Sequence, residues 1–376
     1  MPRRIRILHV VPTMNSGGIE NYIMNMLRVI DRDHIQFDFL EHHSSRSYFD
    51  DEIESYGCNI YRLPVLDDKN IMKYIFSLEK LFRNEQFDII HGHAASLGVF
   101  YLRAAQKAGI PVRIAHSHGT SYLHTPKGIA KRVLFQGFQY YANVRFACST
   151  EAGKFLFGNN KFELVKNAID TNRFVFNKSL RDDTREKNGI KQSTFLMGHI
   201  GRFNLQKNHD FLIDIFKEVH RLKSDSKLLL VGDGETKKHV MEKVITEGLS
   251  DSVLFENVTD SPQAYYAAMD SLVMPSLFEG LPLVGIEAQC AGLPCFFSSD
   301  ITHETSVTDL AHFISLDNSA EYWAREILRG ATAKDRNGYA NQVRYAGYDF
   351  HDNTEFMEQK YMKLCEQFAP QSKRRH

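Results

Sequence analysis

Leu272-Val-Met-Pro-Ser-Leu-Phe-Glu-Gly-Leu-Pro-Leu-Val-Gly-Ile-Glu287 runs from a short apolar stretch through a Gly-Leu-Pro turn into a helical pattern. Leu272 to Met274 reads as a strand. Pro282 suits the first turn of a helix, where its missing N–H costs nothing. Glu279 is then expected in the loop above the strand end, and Glu287 about one and a half turns into the helix. The unpaired backbone N–H groups around Gly280, Leu281 and Leu283 would face the same crevice and attract an anion such as a phosphate. A loop carboxylate, a phosphate-holding helix start and a second carboxylate together suggest a nucleotide-sugar site.

The same strand-then-helix alternation extends in both directions, the pattern of a parallel sheet covered by helices. Ile5 to Val11 is a short apolar strand, and Ile19, Tyr22, Ile23, Met26, Leu27 and Ile30 follow at helical spacing. Further strands are predicted at Phe37 to Leu40, Ile60 to Leu63, Phe87 to Ile90, Val112 to Ala115 and Val144 to Cys148. The polar run from Asn177 to Ser193 dilutes the apolar pattern and marks the approach to a second domain, in which alternation restarts at Phe195 to Ile200. With 376 residues the chain is long enough for two domains, each with its own core.

Lys plus Arg equals Asp plus Glu at 46 each, so bulk charge does not mark a nucleic-acid binder. The distribution is uneven: between Asp88 and Glu151 there is no acidic residue, while Arg103, Lys107, Arg113, Lys127, Lys131, Arg132 and Arg145 all fall there. The cysteines Cys58, Cys148, Cys290, Cys295 and Cys365 are odd in number and form no C-x-x-C pair, which reads as reduced thiols in a cytoplasmic protein. The basic N-terminus lacks a signal-type apolar run, and no stretch reaches the roughly 18 apolar residues of a transmembrane helix. Any membrane contact is expected to be peripheral, on the inner face.

The spacing of Glu279 and Glu287 in Phe-Glu-Gly-Leu-Pro context resembles the E-x7-E signature of retaining glycosyltransferases of family 4, whose GT-B fold has two Rossmann-like, doubly wound parallel-sheet domains facing across a cleft. Ordered segments carry the resemblance from residue 5 to residue 298. They are Ile5 to Pro12 with Asn15-Ser-Gly-Gly-Ile-Glu20, the stretch Val165-Lys-Asn-Ala-Ile-Asp170 with Phe174, the loop Ile200-Gly-Arg-Phe-Asn-Leu-Gln-Lys-Asn-His209, and Leu230-Val-Gly-Asp-Gly-Glu235. Ala168 stands where the family usually has glycine. Arg113-Ile-Ala-His-Ser-His-Gly-Thr120 and Phe155-Leu-Phe-Gly158 are most similar to bacterial exopolysaccharide and capsule enzymes.

The resemblance implies transfer of a sugar, with retention, from a nucleotide diphosphate sugar, UDP being the expected nucleotide, to a growing and lipid-linked glycan. Glu287 would accept from the ribose hydroxyls and Glu279 would contact the transferred sugar. Arg202 and Lys207 would hold the diphosphate with the helix start, so that no metal or other cofactor is needed. Gly17 and Gly18, lacking a Cβ, would let backbone N–H groups approach a phosphate. His118 fits the family histidine that approaches the donor sugar, with the reverse assignment to His116 left open. Family chemistry implies front-face attack by the acceptor hydroxyl inside a closing cleft, the departing phosphate oxygen serving as base. The implied domains are an acceptor-binding domain over 1–176, a nucleotide-sugar domain over 177–350, and a closing helix and tail over 351–376.

Other readings of the same residues are weaker. His116-x-His118 permits a metal pair, but no series of further ligands matches a metal-dependent hydrolase, and His9, His91 and His93 are expected at the core edge or lining a cleft. Asp31-Arg-Asp33 spells D-x-D but sits at a helix-terminus turn. A nicotinamide-dependent oxidoreductase would need G-x-G-x-x-G, which Gly17-Gly18 is not. A noncatalytic nucleotide-sugar sensor would keep the binding residues without turnover. Within Thr125 to Tyr141, the basic residues Lys127, Lys131 and Arg132 suggest docking to an anionic membrane surface against the alternative of a solvated helix face.

Overall fold

The computed structural model describes residues 3–15, 17–63, 70–118, 138–331 and 335–369. The chain divides into two compact units, one holding the residues up to Ala168 together with those from Phe350 onward, the other Ile169–Asp349.

The first unit is built on β1 (Ile5–Val10), β2 (Ile35–Glu41), β3 (Ile60–Arg62), β4 (Ile89–Gly92), β5 (Val112–Ser117), β6 (Val144–Ala147) and β7 (Glu163–Leu164). They form one sheet in the order β3-β2-β1-β4-β5-β6-β7, with parallel register throughout. Ile7, Leu8 and Val10 are all fully buried because helices cover both faces, which is why this strand reads as continuous apolar sequence. Among the covering helices are α1 (Gly18–Val29), α2 (Asp50–Ser55), α3 (Ile71–Asn84), α4 (Gly98–Lys107) and α5 (Thr150–Phe157). Helix α3 shows the rule: Tyr74, Leu78 and Phe82, spaced one turn apart, are its buried face.

The second unit carries β8 (Phe195–Ile200), β9 (Ser226–Val231), β10 (Val253–Glu256), β11 (Ser271–Met274), β12 (Cys295–Ser298) and β13 (Ala311–Ile314), in the order β10-β9-β8-β11-β12-β13 and again parallel. Its helices include α6 (Lys178–Lys187), α7 (His209–Leu222), α8 (Lys237–Thr246), α9 (Pro262–Ala268), α10 (Leu283–Cys290), α11 (Ala320–Gly330) and α12 (Tyr339–Val343). The last helix of the chain, α13 (Phe350–Phe368), belongs to the first unit, where Met357, Tyr361 and Leu364 join the cluster formed by Ile7, Ile23 and Phe37. Each of those side chains contributes on the order of 1.5–3 kcal/mol by leaving water.

Both units are therefore doubly wound. The order reverses between β1 and β4 in one and between β8 and β11 in the other, and ligands of such sheets bind outside the carboxyl ends of the strands at that reversal.

Two expectations are corrected. Pro282 is not inside the helix but caps it, with α10 starting at Leu283. The polar run after Asn177 is not merely an approach segment: it folds as α6, capped by the Asn177 side chain on Leu180 N at 3.0 Å. That helix has little apolar face because it is anchored by arginines. The Arg185 side chain is fully buried, donates to the Ala268 and Thr194 carbonyls at 2.8 and 3.0 Å, and pairs with Asp270 at 2.7 Å. Arg181 caps the same helix end, reaching the Ala268 and Met269 carbonyls at 2.9 and 3.0 Å and the other Asp270 oxygen at 2.6 Å. Charge-assisted bonds to helix-end carbonyls replace apolar burial here, and hydrophobic periodicity cannot register them.

Candidate donor site and a buried histidine cluster

The loops following β8 and β11 meet at the reversal point of the second sheet. Leu277 N donates to the Gln206 carbonyl at 2.8 Å, the Gln206 amide donates to the Phe278 carbonyl at 2.9 Å, and the Asn208 amide donates to the Pro275 carbonyl at 3.1 Å. Asn208 takes the left-handed conformation (φ 54°, ψ 48°) that lets the loop turn directly into α7. These bonds hold the Gly201 to Asn208 loop against the loop that carries Glu279.

Between the two loops Lys207 Nζ meets Glu279 Oε1 at 2.5 Å, with side chains only 12% and 10% exposed. Gln206 Nε2 donates to the other Glu279 oxygen at 3.1 Å. The lysine expected at a diphosphate and the glutamate expected at a sugar are thus one ion pair. Arg202 is different: it is 71% exposed and pairs with Glu235 at 3.2 Å. Behind this loop, Gly232 and Gly234 have φ of +146° and +151°, and a Cβ on either would come within 2.1 Å of the Gly201 carbonyl or 2.3 Å of the Phe203 carbonyl. Only glycine lets the β9 turn close on the Arg202 loop.

Gly280 and Leu281 lead into the start of α10, and Leu281 and Leu283 pack against the core cluster that contains Ile286 and Met274. Glu287 lies on the first turns of α10 and accepts from the Tyr266 hydroxyl at 2.8 Å. Burial raises the Glu287 carboxyl above its ordinary range, the Tyr266 bond partly opposing it. Tyr266 and Gln206 were not singled out in the sequence. Tyr266 lies on a separate helix with no motif around it, whereas Gln206 stood inside the quoted loop, adjacent to Lys207.

In the first unit Gly17 caps α1 with extended backbone and without a side-chain cap bond. The Glu20 carboxylate folds back over it, within 2.4 Å of where a Gly17 Cβ would stand. Gly18 has open space at the same point. Under this loop, Met14 N donates to the fully buried Glu41 carboxylate at 2.6 Å, which also receives the Ser47 hydroxyl at 2.9 Å.

The ends of β1, β4 and β5 bring together His9, His91, His93, His116 and His118. His9 Nδ1 faces His93 Nε2 at 3.1 Å, His93 Nδ1 faces His118 Nε2 at 2.8 Å, and His91 Nε2 faces His116 Nδ1 at 3.1 Å. His91 Nδ1 reaches the Tyr361 hydroxyl at 2.7 Å, while His118 Nδ1 and the Asn167 carboxamide oxygen are each left without a hydrogen bond. Burial holds all five as neutral imidazoles, with His9 and His118 pushed down to about 3. Contact of His118 Nε2 with a sugar hydroxyl requires parting from His93, whereas His118 Nδ1 has no hydrogen-bond partner. Lys127, Lys131 and Arg132 lie outside the described residues, and no helix among the described residues is long and apolar enough to cross a membrane.

Residues 181–347 match the family of glycosyl transferases group 1, and residues 16–173 match Glycosyltransferase Family 4. EpsF of Bacillus subtilis (strain 168), which is named as a glycosyltransferase, is 33% identical over 93% of this chain and 94% of its own length. An Escherichia coli UDP-Gal:alpha-D-GlcNAc-diphosphoundecaprenol alpha-1,3-galactosyltransferase is 26% identical over 79% of this chain and 80% of its own. The crystal structure of Anabaena Alr3699/HepE in complex with UDP-glucose superposes with a TM-score of 0.78 at 17% identity, covering 96% of this chain and all of the other. Two doubly wound parallel sheets, family matches along both halves and a relative of nearly equal length lead to one conclusion: this chain belongs to the family 4 glycosyltransferases of GT-B fold.

Proposed function

We propose that this glycosyltransferase of polysaccharide biosynthesis is a retaining, metal-independent enzyme that moves a hexose from a UDP-sugar onto a lipid-linked glycan of an exopolysaccharide or capsule. The observation that carries the reading is the meeting of Glu279, Lys207 and the α10 start at the β8–β11 reversal, with Glu287 on the same helix. Glu287 takes the ribose hydroxyls and Glu279 the transferred sugar. Lys207 has three donors on one ammonium, so it can keep Glu279 neutralised while turning an N–H toward the diphosphate. Backbone N–H groups of Gly280, Leu281 and Leu283 and the more exposed Arg202 hold the remaining charge as the leaving group departs. The choice of UDP and of a lipid-linked acceptor rests on the E. coli relative, whose name specifies both.

The acceptor is assigned to the first unit. Gly17 and Gly18 serve a phosphate there once Glu20 swings aside, and His118 keeps its role toward the sugar by resemblance. The enzyme works at the cytoplasmic face of the membrane, attached through Lys127, Lys131 and Arg132. Salt-sensitive binding to anionic vesicles, lost when these three become Gln, is expected; equal binding by the variant removes that attachment.

The test of the activity is a screen of radiolabelled nucleotide sugars against membranes carrying lipid-linked glycans, with the product anomer read by NMR. Transfer is expected to persist in excess chelator and to keep the donor's anomeric configuration. An inverted linkage, or loss in chelator with rescue by magnesium or manganese, overturns the mechanism.

A further inference from the structure

The histidine cluster of the first unit has more structure than a packed core requires. One ring nitrogen from each of His93, His116 and His118 lies within 4.8 Å of the other two, and the same holds for His9, His91 and His93. His116 is fully buried and its Nε2 has no hydrogen-bond partner. A buried, unsatisfied polar atom is costly, and a nitrogen lone pair in a group of imidazoles is a ligand in waiting.

We propose that His93, His116 and His118 form a binding site for a divalent d-block cation such as Zn2+, through His93 Nδ1, His116 Nε2 and His118 Nε2. Three observations carry this. First, two of the three have their other ring nitrogen already placed against a neighbour that can accept its proton: His9 Nδ1 at 3.1 Å from His93 Nε2 and His91 Nε2 at 3.1 Å from His116 Nδ1, while His118 Nδ1 is left without a hydrogen bond. Ligating histidines characteristically donate their remote N–H to such partners, which fixes tautomer and orientation.

Second, the proton count closes. Each imidazole keeps one proton: His93 on Nε2, His116 on Nδ1, His118 on Nδ1. His9 then carries its own on Nε2, and His91 donates to the Tyr361 oxygen from Nδ1. Binding shifts tautomers and releases no proton. Third, the geometry is close to ligation. His93 Nδ1 and His118 Nε2 stand 2.8 Å apart, while two nitrogens on a tetrahedral zinc at about 2.0–2.1 Å are roughly 3.3 Å apart, a small opening. His118 is the partly exposed member of the three, His93 and His116 being buried. The donor set of neutral imidazoles suits zinc, copper or nickel rather than magnesium or calcium.

The site shares His118 with the role toward the sugar given above by resemblance, so that ring cannot serve both while the ion is bound. Its ion would take the His118 ring out of reach of any other ligand.

The experiment uses the untagged full chain, stripped with chelator, dialysed, and titrated with Zn2+ by calorimetry while bound metal is counted. One Zn2+ per chain is expected, with a rise in melting temperature on saturation. His116→Asn and His118→Gln should each weaken binding at least tenfold. His118→Gln changes the partly exposed member and keeps a carboxamide near Asn167, so it decides the case if the buried variant does not fold. Co2+ in place of Zn2+ should give a visible absorption band that is absent in both variants. No stoichiometric binding by the parent, or unchanged binding by folded His118→Gln, overturns the proposal. The chelated protein's transferase activity is read separately, so failure here leaves the assignment of function untouched.

Discussion

Replacing Lys207 with Met tests whether one ion pair serves both fold and donor. The substitution keeps most of the aliphatic stem and strands Glu279, whose side chain is 10% exposed and keeps one further bond, from Gln206 at 3.1 Å. Removing one partner of a buried pair costs about 3–5 kcal/mol. The surviving Gln206 bond places this case at the lower end, about 3 kcal/mol, or roughly 6–12 °C in the melting temperature of a domain this size. Adding Glu279→Gln removes the stranded charge, and the double variant is expected within about 1 kcal/mol of the parent. UDP affinity behaves differently. Losing a charged donor to the diphosphate costs about 2 kcal/mol, close to thirtyfold in Kd, and the second substitution does not restore it. Thermal unfolding and calorimetric titration with UDP on the parent, both singles and the double separate the two effects. Equal melting temperatures for Lys207→Met and the double variant would refute the buried pair; recovery of parental affinity in the double variant would refute the diphosphate role.

Two further predictions concern the second unit. Glu287 has a carboxyl raised by burial, so the folded chain holds that proton more tightly than the unfolded chain. This contribution to stability is present at low pH and is lost as pH rises through the raised value, whereas UDP affinity runs the opposite way because ribose hydroxyls need the carboxylate. Lowering the pH should weaken UDP binding sooner than an ordinary carboxyl near about 4.3 allows, and Glu287→Gln should bind roughly ten- to hundredfold more weakly with a flat pH profile; superimposable profiles would sink the ribose role. Asp270→Ala leaves Arg181 and the fully buried Arg185 without their shared carboxylate and should cost about 3 kcal/mol, seen as a lower melting temperature of the second unit; a loss under about 1 kcal/mol would mean the helix-end carbonyls suffice.

The sequence alone determined the kind of fold. Parallel strands covered on both faces must be apolar along their length, so β1, β8 and β11 announce themselves, and helices such as α3 show their buried face as a repeat of one turn. Chain order also determines that the loops after β8 and β11 carry the motif residues, because a doubly wound sheet puts strand ends at the crevice. What residues do to one another across distance needed the tertiary structure. Lys207 and Glu279 are far apart in the chain, and only the zipped loops make them a pair. Tyr266 meets Glu287 from another helix, and the arginines of α6 find helix-end carbonyls that no periodicity encodes. The five histidines show the limit most plainly. Each strand end contributes one or two; His9, His91 and His93 read as core-edge or cleft-lining residues and His116 and His118 as a pair on one strand, and only parallel pairing in register stacks β1, β4 and β5 side by side so that their imidazoles touch. Local pattern follows from short-range sterics and burial, which the sequence carries; hydrogen bonds between distant side chains follow from register and packing, which exist only once the chain has folded.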